Sequence, residues 1–413
     1  MFESFSDNKS FLAEYQRHAA AFAADPTPVA AALTPEFIRE QTAFARCGES
    51  ETAVLLRIAA TIAAQPELQE LFAFAVYHLQ HSPADATYGD WPDLHRQLGP
   101  EGSCLYLLAA LTLIPGIRRT YCDLGVDDAI TRDTTLEFSG FCRNHLQGCG
   151  VPGIFREQLY WLKLYRDGRL FRLGRMEYKA EKFASYGVVL RHRRTAATVM
   201  LAPDGNRYAA DGLALPPETA AAVGWTAVYR ETPTTFTGHP IRPEGRTEPT
   251  PVTLRRDDWD IMLRPGDDII DTHIPPGGGL SPAVCRDSLQ QAAQFFPRLR
   301  PECHFRAFFC LSWIFNTQLE ERLPETNLAR FMREPYLFPV PGSRFAGMFF
   351  VFSRPGITAA TLPELPRTTR LQRVMLDILA AGDDLRYGAM FYLLPDLPHF
   401  GTQYYRRHYR QPE

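Results

Sequence analysis

Residues 267–296, DDIIDTHIPPGGGLSPAVCRDSLQQAAQFF, join a β-branched run, three consecutive glycines and a helix start. Ile269, Ile270 and Ile274 surround Asp271, Thr272 and His273, so a short strand is expected over 268–274. Pro275 and Pro276 have no N–H for a sheet ladder and end it. Gly277, Gly278 and Gly279 strip the turn over 275–280 of side-chain bulk. Ser281 suits an N-cap and Pro282 the first helical position. Across 281–296, Cys285, Leu289, Ala292, Ala293 and Phe296 share one helical face. Bare amides at the positive end of a helix make an anion cradle, best suited to a phosphate or pyrophosphate. The same turn can also serve as a plain connection, and the pattern alone leaves both readings open. The nucleoside-triphosphate loop is excluded, because no Lys-Ser or Lys-Thr follows the glycines. The glycine spacing of a dinucleotide fingerprint is missing too.

At 413 residues the chain is long for one core, so two domains are expected. Hydrophobic residues at 45% suffice to build both. A net charge of −3 offers no long-range attraction for nucleic acid or an anionic membrane, and neither is expected as a partner. The opening stretch MFESFSDNKSFLAEYQRH is mixed and polar, and no apolar run reaches membrane-spanning length, so a cytoplasmic location is expected. The 8 cysteines are scattered, which suits free thiols in a reducing compartment. Cys142, His145 and Cys149 are close in sequence but lack a fourth ligand or a second pair, so no metal is expected there.

Residues 1–150 read as an all-helical domain. Segments 10–24, 34–46, 51–64, 66–80 and 102–114 repeat apolar residues at three- and four-residue spacing, punctuated by prolines that include Pro26, Pro28 and Pro66. Val54, Leu55, Ile58, Ala59 and Ile62 form a core stripe. Character changes at Gly148–Gly153. Residues 157–178 alternate around Asp167-Gly168, which reads as a hairpin. Short strands are expected near 197–201 and 225–229, and the Pro/Thr/Gly-rich stretch 231–251 as an exposed excursion. A second hairpin is expected over 258–274 around Pro265-Gly266-Asp267. After the glycine turn and its helix come a buried strand at 304–313, a short helix at Asn327–Arg333, strands at 336–340 and 345–352, and a helix near 368–381. Mostly antiparallel strands with late helices indicate an α+β domain over 151–355, followed by a helical extension over 356–413.

This order resembles the GNAT-type N-acyltransferase fold. More narrowly, FRLGRMEY (171–178), DTHIPPGGGLSP (271–282) and FCLSWIFNTQLEERLPETNLARF (309–331) resemble a family of bacterial two-domain acyltransferases. In that family a helical N-terminal domain precedes a GNAT-like mixed, mostly antiparallel sheet flanked by helices. The resemblance implies acetyl-CoA or another acyl-CoA as the acyl donor and a small-molecule or peptide amine as acceptor. It assigns 268–274 as the central strand, whose turn holds the coenzyme A pyrophosphate, and 304–313 as a strand splaying away from it. Ile274, Gly277, Gly278, Gly279, Leu280, Ser281, Ser312 and Asn327 are then the coenzyme A contacts. The usual Gln or Arg ahead of the glycines is missing, so phosphate binding rests on main-chain amides, with Arg286 as a nearby cation.

Acyl transfer to an alkyl amine needs a base for a proton of reference pKa about 10, donors for the oxyanion, and an acid for a thiolate of reference pKa about 8.5. Strand alternation places Asp271 and His273 on one face. His273 is the candidate base, supported by the Asp271 carboxylate; the competing reading is a structural histidine. The resemblance implies Tyr336 as the acid, against a core aromatic, and Asn327 as a pantetheine contact, against a helix cap. Covalent catalysis through Cys285 or Cys310 is the weaker alternative: no histidine is placed in sequence to activate Cys285, whose helical face is apolar, so direct transfer is favoured. Two alternatives remain: a non-catalytic acyl-CoA-binding protein, and an enzyme using another phosphate-bearing ligand.

Overall fold

The computed structural model describes residues 8–25, 29–219 and 222–410; Pro26 and Pro28 lie outside them. The chain forms two compact units, Met1–Arg172 and Leu173–Glu413.

The first unit is helical. Helix α1 spans Lys9–Ala23, and the Asn8 side chain caps it by accepting from the Phe11 amide. Helix Glu49–Ala64 buries Leu55, Ile58, Ala59 and Ile62 of the stripe expected from spacing, while Val54 is half-buried. Helix α2, Pro66–His81, follows with proline at its first turn. The stretch expected as one helix over 102–114 is two, Cys104–Leu111 and Ile114–Asp123. Cys142, His145 and Cys149 are not drawn together as ligands: His145 Nδ1 faces the Val151 carbonyl at 2.9 Å, and Cys149 is exposed.

Asp167-Gly168 does not turn a hairpin. Residues 159–166 are a helix. Gly168, at φ 61°, stands just past its end, with its amide bonded to the Tyr165 carbonyl and the Arg169 amide to Leu164. That pair of bonds is a Schellman closure, which needs the left-handed conformation as much as a hairpin does. The true hairpin turn is two residues long, Gly174-Arg175, between β1 (Phe171–Leu173) and β2 (Met176–Lys182).

Four more strands complete the main sheet: β3 (Asp268–His273), β4 (Phe305–Ser312), β5 (Tyr336–Val340) and β6 (Tyr387–Leu393). Their spatial order is β1-β2-β3-β4-β6-β5. Strand β3 runs antiparallel to β2 and parallel to β4, and the β4–β6 and β5–β6 pairs are antiparallel. Helix α3, Pro282–Leu299, makes the β3–β4 crossover and buries Cys285, Leu289, Ala292 and Phe296. Ser288 binds it to the hairpin, donating to the Leu173 carbonyl, accepting from the Met176 amide and sharing a 2.8 Å bond with Tyr178.

Several expectations need correction. The chain around Pro265-Gly266 links two sheets instead of turning a hairpin. Trp259–Leu263 pairs with Val188–His192 in a separate five-stranded sheet. The 231–251 stretch is built into sheets through Thr235–Gly238, Pro240–Arg242 and Arg246–Thr247, with Phe236 and Ile241 buried. Residues Met348–Phe352 are helical, not a strand. The helix near 368–381 is present as Arg370–Ala380, but 356–413 is no separate extension: β6 lies inside the main sheet.

Candidate functional site: a splayed strand pair and a glycine cradle

Strands β3 and β4 pair side by side only as far as Asp271 opposite Phe309. Beyond that point each keeps its outer partner. Strand β3 continues along β2 to His273 opposite Glu177, and β4 continues along β6 to Ser312 opposite Gly388. The two parallel strands therefore part, leaving a wedge whose facing main-chain edges have lost their ladder. Leu311, at 43% exposure, lies on this opened edge.

The glycine turn stands at the end of β3. Gly277, Gly278 and Gly279 take φ of 84°, 69° and 68°, three left-handed residues in succession. All three are exposed. Among the described residues, no acceptor is found for the amides of Gly277, Gly278, Gly279 or Leu280. Ser281 has the extended N-cap conformation but its side chain makes no capping bond. The first-turn amides of α3 therefore remain available, and anion binding is what this arrangement offers.

Sequence reasoning missed the cation here. Arg175, from the β1–β2 turn, donates through Nε to the Gly279 carbonyl at 2.6 Å, and its side chain borders Gly278. The segment FRLGRMEY contains it, but only the fold brings it to residues more than a hundred positions away. Arg286, expected nearby, instead donates to the Phe400 carbonyl.

On the face of the sheet that Asp271 shares, the polar groups gather. His273 Nε2 is 3.1 Å from Asp271 Oδ2, an ion-pair distance with poor hydrogen-bond alignment. Lys179 Nζ reaches the same oxygen at 3.3 Å. Buried Glu177 is the register partner of His273. Tyr186 stacks on Phe309, with ring centroids 5.2 Å apart, at the point where the strands part. Burial and then the Asp271 charge push the Tyr186 hydroxyl above its ordinary pKa. It stays protonated at neutral pH and is a donor. No sequence signal marks a lone loop tyrosine.

Tyr336 is not part of this cluster. It shares the register row of Asp271 through Phe391 and Phe309, three strand spacings or about 14 Å away. Its hydroxyl donates to the Ile241 carbonyl and accepts from the Met200 amide at 3.3 Å. Burial drives that hydroxyl far above the tyrosine range. Ser312 ends β4 in the wedge and accepts from the Ile314 amide. Asn327 is exposed at the first turn of helix α4, Asn327–Met332, whose cap is Thr326. Burial raises the Cys285 thiol to about 12 and the Cys310 thiol well beyond its ordinary value, so neither is a ready nucleophile.

Parallel strands that part beside a glycine turn at a helix N-terminus define the GNAT class of folds. The chain belongs to the two-domain acyltransferase family of that class: the N-acyltransferase N-terminal domain matches residues 40–168 and the GNAT-like C-terminal domain residues 170–390. It is accordingly an acyltransferase. Among solved structures, an acyltransferase in complex with decanoyl-CoA and teicoplanin is 19% identical, covering 87% of this chain and 88% of its own at a TM-score of 0.58. An acyltransferase in complex with CoA and 10C-teicoplanin is 20% identical with the same coverage and TM-score. At these identities the likeness carries the fold. A search of curated proteins finds no match. Among the described residues no single helix is long and apolar enough to cross a membrane.

Proposed function

We propose that this chain transfers an acyl group from acyl-CoA directly to an amine, at the wedge between β3 and β4. The observation that carries this reading is the loss of β3–β4 pairing past Asp271 and Phe309, immediately before the glycine turn. The amides of Gly277 to Leu280, the N-terminus of α3 and Arg175 hold the diphosphate. Extended pantetheine enters the wedge and replaces the missing ladder along Thr272–Ile274 and Cys310–Ser312. Ser312 and Asn327 stand as further contacts. The amine nitrogen attacks the thioester carbonyl while its proton passes to His273, directly or through one water. Asp271 orients the imidazole and stabilises its charged form, and Lys179 limits the negative charge around that carboxylate. As the C–S bond breaks, the departing thiolate takes a proton, for which Tyr186 is the donor in place of Tyr336.

Acyl length and acceptor are narrower questions. A solved relative holds both decanoyl-CoA and teicoplanin, which supports testing medium-chain donors and glycopeptide amines first. Free cysteines throughout the described residues support a reducing compartment such as the bacterial cytoplasm.

The test is a thiol-release assay with acetyl-, octanoyl- and decanoyl-CoA against a panel of amines that includes teicoplanin. Turnover that disappears in His273→Ala while coenzyme A still binds supports the proposal. Tight coenzyme A binding without turnover for every acceptor favours a binding protein. Thermal stabilisation by nucleotide sugars in preference to coenzyme A contradicts the donor assignment.

A further inference from the structure

Away from the wedge, the helical unit holds a second cluster of chemically competent side chains. Glu14 and His18 are four residues apart on α1 and so share one face. His78, on α2, is 1% exposed and turns toward them. Glu14 Oε1 lies 3.1 Å from His18 Nε2 and 3.0 Å from His78 Nε2, so two imidazoles converge on one carboxylate oxygen. Their rings stand nearly perpendicular, at 84°, with centroids 5.2 Å apart. Arg17 occupies the other carboxylate oxygen.

We propose that Glu14, His18 and His78 bind one divalent cation of the zinc class, which pins α1 to α2. A four-coordinate ion with bonds of about 2.0–2.1 Å spaces its ligand atoms by about 3.3 Å. The observed separations of 3.0 and 3.1 Å need only a small outward shift. Two imidazoles and one carboxylate leave the fourth position to water. Glu14 and His18 are partly exposed, which gives an ion a way in.

The surroundings of His78 serve the ion-bound tautomer. When Nε2 ligates a metal the proton sits on Nδ1, which lies 3.1 Å from the Tyr88 hydroxyl. That hydroxyl is 3.2 Å from Ser82 Oγ, and hydroxyls can reverse donor and acceptor roles. Lys163, whose Nζ lies 5.0 Å over the Tyr88 ring, opposes a cation, but the Pro83 and Ala86 carbonyls accept from it. Glu14 and His18, on α1, precede the residues matched by the N-terminal family model, 40–168, whereas His78 lies within them.

The experiment uses the full chain, stripped with chelator, dialysed against zinc and assayed for bound metal, with a parallel cobalt(II) titration followed by visible absorption. The expected result is one tightly held zinc per chain and the intense cobalt bands of a four-coordinate site. His18→Ala, at a partly exposed position, and Glu14→Gln should lose the stoichiometric metal with circular dichroism unchanged. Tyr88→Phe should weaken zinc binding by about tenfold or more. Cys122→Ser and Cys149→Ser, at exposed thiols, should retain it. No retained zinc and no cobalt spectrum, or metal lost with the cysteines instead of with His18, would overturn the proposal. Acyl transfer does not enter this readout, so its result is independent of the function proposed above.

Discussion

Asp271 and Tyr336 stand in the same register row of the main sheet, and both are candidate catalytic groups by sequence, yet their surroundings differ in kind. Around Asp271 the β3–β4 ladder stops, and charged groups converge from two strands. Around Tyr336 the ladder is intact, the hydroxyl is bonded on both sides, and the ring stacks on Phe391 at 4.8 Å. A buried polar group that is fully satisfied holds a structure together; one beside unsatisfied backbone has chemistry left to do. The difference lies in the strand partners, which residue type alone does not reveal.

The sharpest break of this comparison is at His273. His273→Ala should lower turnover by about 10²–10⁴-fold, the usual range for a lost general base, while calorimetric coenzyme A affinity stays put. An equal loss of affinity would return His273 to a structural role. At the other end of the row, Tyr336→Phe should leave turnover unchanged and cost about 1–3 kcal/mol of stability, because the buried Ile241 carbonyl and Met200 amide lose their partner. Denaturant unfolding with a parallel rate assay reads both quantities. Arg175→Ala should weaken coenzyme A binding by roughly tenfold, within the range of a charge-assisted contact. Its effect should shrink at high salt, which titrations at two ionic strengths will read.

A separate effect concerns pH and the helical unit. Burial lowers His78 to about 4, against about 6.5 for an exposed imidazole. Protonation therefore favours the unfolded chain. The stabilisation is complete above about pH 6.5 and is lost progressively as pH falls toward 4. Thermal melts across that interval should show a declining midpoint, and His78→Asn should flatten the decline.

Much of this fold was legible because its central segment is locally over-determined. Ile269 and Ile270, the paired prolines, three glycines and Ser281-Pro282 each specify their own conformation, and strand, turn and helix follow. Elsewhere local signals were ambiguous. Asp167-Gly168 fits a hairpin and a Schellman closure equally, since both need a left-handed glycine. The aromatic run at Met348–Phe352 is short enough to be strand or helix, and tertiary packing chose helix. Strand β6, YGAMFYL, carries the continuous apolar signature of a fully buried strand, but its distance along the chain from β4 and β5 hid its place between them. Arg175 and Tyr186 were beyond sequence reasoning for the same reason. A cation or phenol becomes a site residue only through pairing that brings Gly279 and Phe309 beside it.

The most direct test of the central claim is calorimetric titration of coenzyme A into Gly278→Val. Gly278 sits at φ 69°, and a Cβ there meets Arg175 Cδ at 3.1 Å, so a β-branched residue distorts the cradle on a surface turn remote from the core. A folded variant that binds coenzyme A at least about tenfold more weakly is the predicted result, matching a strain of about 1–3 kcal/mol. Full affinity in that folded variant would contradict a cradle built on the main chain of Gly277 to Gly279.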